Sequence, residues 1–84
     1  MEKSMTNNKN IILYSLSTCP HCKRAKAFLA EHALTYQNFD VGDNKAARDE
    51  MIQKSGQMAV PVFDIEGQII VGFVEANLRA ALGI

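Results

Sequence analysis

The sequence predicts an α/β domain with a central four-stranded mixed sheet flanked by three helices, in the chain order βαβαββα. Three observations carry that reading. Ile11, Ile12, Leu13 and Tyr14 form an unbroken apolar run, the pattern of a strand covered on both faces. Behind it, Cys22, Ala25, Phe28, Leu29 and His32 recur at helical spacing. Further on, the apolar runs Val60 to Ile65 and Gln68 to Val71 meet at Glu66 and Gly67, the signature of an antiparallel hairpin.

The remaining elements fall between these anchors. The first helix is expected from Pro20 to about Ala33, with Lys23, Lys26 and Ala30 on its outer face. Tyr36, Phe39 and Val41 among polar residues make Thr35 to Val41 a second, less covered strand. Asp43 is the expected N-cap of a helix over Asn44 to Ser55 that Gly56 ends. Lys45/Asp49 and Glu50/Lys54 are spaced there for i,i+4 pairing, and Ala47, Met51 and Ile52 form its inner face. Val74, Leu78, Ala81 and Leu82 mark a last helix stopped at Gly83. A strand-helix-strand unit implies a parallel pair with a right-handed crossover, to which the hairpin adds antiparallel strands.

Composition bounds what such a domain does. The 84 residues, 48% of them apolar, suffice for one compact domain that buries roughly 60 to 65% of its unfolded surface. Residues 1–9 read as a flexible tail and 10–84 as the domain. Nine basic and nine acidic side chains cancel, which leaves no net field for nucleic acid or an anionic membrane. The apolar run from Ile11 to Leu16 is too short for a signal segment or a membrane span, so a cytoplasmic monomer is expected.

Cys19 and Cys22, two residues apart, do not resemble the scattered framework of a small secreted domain. Proline is favoured at the first position of a helix, so Pro20 places Cys19 at the N-cap. There its sulfur faces unpaired backbone N–H groups and the positive end of the helix dipole, which favours the thiolate and can lower its pKa from about 8.5 to roughly 3.5–7.5. Cys22 lies one turn further in, on the same face as Ala25 and Leu29, and is expected to be less exposed. That geometry implies thiol-disulfide exchange with Cys19 as nucleophile and Cys22 as the resolving thiol. For His21 two readings stand: an imidazolium that further stabilises the thiolate, or a solvated loop residue.

Metal binding is the main rival. A closed zinc site needs four ligands, whereas two cysteines and two histidines without a second clustered pair make a poor set, so no metal ligand is assigned. His32, near the end of the first helix, more naturally packs or caps carbonyls.

From Asn10 to Ile84 the sequence resembles the glutaredoxins. Cys19-Pro20-His21-Cys22, followed by Lys23, Arg24, Ala25 and Lys26, is similar to that family's Cys-Pro-Tyr-Cys site and basic helix start. Ser55-Gly56-Gln57-Met58-Ala59-Val60-Pro61 is similar to its Thr-Gly-Gln-x-Thr-Val-Pro segment, whose proline is cis. The resemblance implies a thioredoxin-like fold and a Val60-Pro61 edge that offers backbone to a bound thiol peptide. It adds Thr18, Gly72 and Phe73 as candidate substrate-binding residues, and implies no resident cofactor, with glutathione as a possible reductant.

Departures from the pattern bear on the substrate. Leu16 stands where glutathione-using members carry a basic residue, His21 where they carry Tyr, and Gly72-Phe73-Val74-Glu75 where they carry Gly-Gly-x-x-Asp. Gly72-Phe73 instead resembles redoxins reduced by thioredoxin reductase that supply ribonucleotide reductase. The implied partners are therefore a disulfide-bearing protein substrate and either glutathione or thioredoxin reductase as electron source. Two other functions remain in view: a module carrying an iron-sulfur cluster or metal through Cys19 at a dimer interface, and a binding domain without turnover.

Overall fold

A computed structural model describes residues 10–84; the expected tail at 1–9 lies outside the described residues. The elements are β1 (Ile11–Ser15), α1 (Pro20–Glu31), β2 (Gln37–Asp40), α2 (Lys45–Ser55), β3 (Val62–Ile65), β4 (Gln68–Val71) and α3 (Glu75–Leu82). The expected βαβαββα order is the observed one. The sheet order is β2-β1-β3-β4, with β1 and β2 parallel and the other neighbours antiparallel.

Alternation along β1 explains its unbroken apolar run. Ile11 and Leu13 face a core built with Ala25, Phe28 and Leu29 of α1, Phe63 and Ile65 of β3, and Leu78 and Leu82 of α3. Tyr14 faces the other side, with Val41, Ala47 and Met51 of the α2 layer and Val62 of β3. The helices thus cover both faces, α1 and α3 on one and α2 on the other. Among the described residues no helix is long and apolar enough to cross a membrane.

Several boundaries differ from expectation, each for a physical reason. β2 begins at Gln37 because its ladder with β1 begins where Ile12 meets Gln37, which leaves Thr35 and Tyr36 ahead of the paired stretch. β3 begins at Val62, since its pairing with β1 ends at Tyr14 and Pro61 has no N–H to extend it. The N-cap of α2 is Asn44 and not Asp43: Asn44 Oδ1 accepts the Ala47 N–H at 3.0 Å, while the N–H groups of both residues donate to the Asp40 carbonyl. α1 ends at Glu31, with His32 as C-cap and Ala33 in the left-handed region at φ 56°. Ile52, expected on the inner face of α2, is 37% exposed. Gly56 and Gly83 end their helices as expected, both left-handed.

Candidate active site

Strand register brings three separate segments to one end of the sheet. β1 delivers the chain from Ser15 into the turn that leads to Cys19. β3 pairs Val62 with Tyr14, so Val60 and Pro61 lie at that same end. β4 pairs Val71 with Val62, so Gly72 and Phe73 emerge there as well, and the Gly72 N–H donates to the Pro61 carbonyl at 2.7 Å.

Cys19 is the N-cap of α1, in extended backbone conformation at φ −90° and ψ 117°, with Pro20 opening the helix. A β-region N-cap points its side chain back at the first turn, where it meets the orphan donors of the helix. Its Sγ accepts the Cys22 N–H at 3.4 Å. Its own N–H donates to the Leu16 carbonyl at 3.1 Å, and its carbonyl accepts the first helical hydrogen bond, from Lys23. The sulfur is half-buried, and Pro20 and His21 beside it are exposed.

The two thiols are electrostatically unequal. Partial burial opposes ionisation of Cys19, but the Cys22 thiol and the backbone N–H groups of Cys22 and His21 outweigh it, so its pKa lies below the ordinary thiol value. Cys22 is 0% exposed, and burial pushes its thiol up to about 11. The Leu16 backbone opposes that rise, the neighbouring Cys19 adds to it, and the Lys26 charge offsets a little of it. What results is a reachable sulfur disposed to be anionic, beside a covered sulfur that keeps its proton. His21 contributes to this through its backbone N–H, while its imidazole is exposed.

The other candidate residues occupy distinct settings. Thr18 is exposed in the turn before Cys19. The Val60-Pro61 bond is cis, Val60 is half-buried and Pro61 buried. Among the described residues, the Val60 backbone pairs with no other backbone group. Gly72 has φ 85°, a left-handed conformation that disfavours any side chain. Phe73 is half-buried and meets Phe28 edge-on, with ring centroids 5.8 Å apart, so it is engaged with the core between α1 and α3. His32 packs its ring on Phe28 at 4.5 Å. Among the described residues no three His, Cys, Asp or Glu side chains gather as a metal site.

Two contributions lie outside the sequence reading. Leu16 acts through its main chain on both cysteines, a role that leaves no mark on residue type. On the α2 face, Tyr14 Oη donates to Glu50 Oε1 at 2.6 Å and accepts from Lys54 Nζ at 2.8 Å, and Lys54 also reaches Asp64 Oδ2 at 2.7 Å. The expected Glu50/Lys54 pair is therefore replaced: both side chains turn to Tyr14, whose buried hydroxyl needs partners.

A mixed sheet layered by helices on both faces, with an N-capping thiol and a buried thiol one turn on, defines a dithiol redox protein of thioredoxin-like fold. The glutaredoxin family model matches residues 11–70. An uncharacterised glutaredoxin-like 8.6 kDa protein in the rubredoxin operon of Clostridium pasteurianum is 41% identical over 68 residues, covering 81% of this chain and 91% of that one. Glutaredoxin 3 of Escherichia coli K12 is 41% identical over 63 residues, covering 75% and 76% of the two chains. The crystal structure of a glutaredoxin from Archaeoglobus fulgidus superimposes with TM-score 0.81 at 26% identity, covering 88% and 86%. The chain belongs to the glutaredoxin family, whose members are thiol-disulfide oxidoreductases.

Proposed function

We propose that this protein reduces disulfides of protein substrates and glutathione mixed disulfides through its Cys-Pro-His-Cys dithiol. The Cys19 thiolate attacks one sulfur of the substrate R–S–S–R′. A Cys19–S–S–R bond forms, the substrate S–S bond breaks, and R′S⁻ leaves and takes up a proton. Cys22 then loses its proton and attacks Cys19 Sγ, releasing RS⁻, which is protonated in turn. Two electrons have passed to the substrate, and the protein is left with a Cys19–Cys22 disulfide.

The observation that carries this reading is the asymmetry between a half-buried, anion-stabilised N-cap sulfur, which accepts the Cys22 N–H, and the fully covered thiol of Cys22. The Val60 backbone, unpaired with other backbone among the described residues and at the same end of the sheet, supports docking of the substrate as a short extended segment. Return to the dithiol takes two electrons, from two glutathione molecules or from thioredoxin reductase. Assays run in parallel with glutathione plus its reductase and with thioredoxin reductase identify the donor by which one sustains turnover.

The roles of the two cysteines are tested by trapping. Cys22→Ser is expected to accumulate a stable mixed disulfide through Cys19, and Cys19→Ser to accumulate none. Equal trapping by both variants refutes the assignment.

A further inference from the structure

The polar chain on the α2 face has a placement that packing alone does not require. Lys54 sits in the last turn of α2, and Asp64 sits in β3, two residues past its first residue. Between them runs the excursion that contains Gln57, Met58, Val60 and Pro61. The Lys54–Asp64 ion pair, 2.7 Å long with side chains 26% and 13% exposed, ties the two ends of that excursion together. Each end is fixed in turn: Lys54 donates to Tyr14 Oη, and Asp64 Oδ1 accepts the Gly67 N–H at 2.9 Å. Within the excursion, Ser55 Oγ accepts the Gln57 N–H at 3.2 Å, and the Pro61 carbonyl accepts from Gly72.

A pair this sheltered differs from a surface ion pair, because weaker screening makes its geometry harder to abandon. Burial works against both charges, yet each partner holds the other ionised: Lys54 is held above its ordinary range by Asp64 and Tyr14, and Asp64 below its own by Lys54 and the Gly67 N–H. A strand-like docking edge binds well only if its backbone is already in place when the partner arrives, since ordering it on binding would be subtracted from affinity.

We propose that Lys54 is a positioning residue for substrate: through Asp64 and Tyr14 it holds the 56–61 segment so that the Val60 backbone meets a disulfide-bearing peptide beside Cys19. This rests on the docking role of Val60 given under the proposed function. It assigns Lys54 no part in the sulfur chemistry, which lies with α1 and its own hydrogen bonds.

The test uses single-turnover reactions of the reduced protein with two probes. One is a short peptide whose cysteine is disulfide-bonded to 5-thio-2-nitrobenzoate, which can use the edge; the other is 5,5′-dithiobis(2-nitrobenzoate), which has no peptide to dock. Lys54→Met is expected to raise the half-saturation concentration for the peptide about ten-fold, the equivalent of about 1.4 kcal/mol, with the limiting rate and the reaction with the small disulfide unchanged. Lys54→Arg should restore the wild-type constant. Asp64→Asn, which keeps the side-chain volume and removes the charge, should show the same split and serves if Lys54→Met does not fold. An unchanged half-saturation constant, or an equal loss with both probes, overturns the proposal. Wild-type protein that reacts with both probes but never saturates with the peptide overturns it too and leaves the thiol chemistry standing, whereas wild-type protein inert to both shows that the underlying function has failed.

Discussion

Alkylation of the reduced protein by iodoacetamide at pH 7 is expected to label Cys19 well before Cys22. A thiol with a pKa of 9.0, the value from which burial raises Cys22, is ionised at pH 7 to about one part in a hundred, and Cys22, pushed up to about 11, to about one part in ten thousand. Higher basicity makes each thiolate a better nucleophile, and a Brønsted coefficient of about 0.4–0.5 returns roughly ten-fold of that hundred-fold deficit. Cys22 should therefore react about ten-fold more slowly than an ordinary thiol before steric cover is counted, and its sulfur is fully covered. Cys19 is displaced the other way, so the selectivity between them exceeds that factor. Quenched time points, with the modified sulfur located by peptide fragmentation in a mass spectrometer, give both rates. A second arm uses Cys19→Ser, which removes the neighbour that helps to raise the Cys22 pKa but leaves the burial intact. Labelling of Cys22 should then quicken yet remain slower than in the unfolded chain. Equal rates for the two cysteines in the native dithiol protein would refute the electrostatic inequality from which the roles are derived.

Other perturbations test other parts of the fold. A Cβ added at Gly42 would lie 2.9 Å from Leu16 Cδ2 and 3.1 Å from Asp40 Oδ1, both ends of side chains that can move aside, so Gly42→Ala should change stability in urea unfolding by no more than about 1 kcal/mol, the cost of that shift being offset by the reduced freedom of the unfolded chain. Ala33 holds φ 56° just past α1, so Ala33→Gly should stabilise by about 0.5–1 kcal/mol, the relief of left-handed strain less the added freedom of the unfolded chain. The Asp64 carboxyl titrates below its ordinary value of 3.8, so its contribution to stability is present above that pH and is lost as pH falls through the folded-state value. The stability difference between wild type and Asp64→Asn, followed by denaturant melts, should be constant above about pH 5 and shrink below it.

What the sequence disclosed is what depends on local pattern. The run from Ile11 to Tyr14 shows a two-faced strand because apolar residues at both parities leave no solvent face, and both faces are indeed covered. Pro20, Gly56, Gly83 and the Glu66-Gly67 pair act within a turn of their own positions, so the boundaries they set are visible without tertiary context. The features that escaped are nonlocal. Glu50 and Lys54 sit at the right spacing for a helix pair, and only the Tyr14 hydroxyl, 36 residues from Glu50 in the chain, diverts them. The limits of β2 and β3 are set by the strand they pair with, and Asn44 displaces Asp43 as the cap because the Asp40 carbonyl gathers both N–H groups first. Of the site, the placement of Cys19 at the N-cap and the burial of Cys22 were legible, whereas the main-chain role of Leu16 was not.

The division of labour between the two sheet faces explains why the site can be so compact. α1 must bury Cys22 and leave Cys19 half-covered, and it does so by packing Ala25, Phe28 and Leu29 against the same core as α3. α2 contributes nothing to that packing; its last turn instead grips β3 through the Lys54–Asp64 pair, beside the segment that leads into Val60. If Val60 docks substrate as proposed, the peptide edge is braced from the α2 layer while the sulfur pair is held by α1 and the Leu16 main chain, and they meet because register sets the ends of β1, β3 and β4 side by side. Changes in one layer can then alter what docks without altering how readily Cys19 ionises, since energies at sites with no shared partners are close to additive.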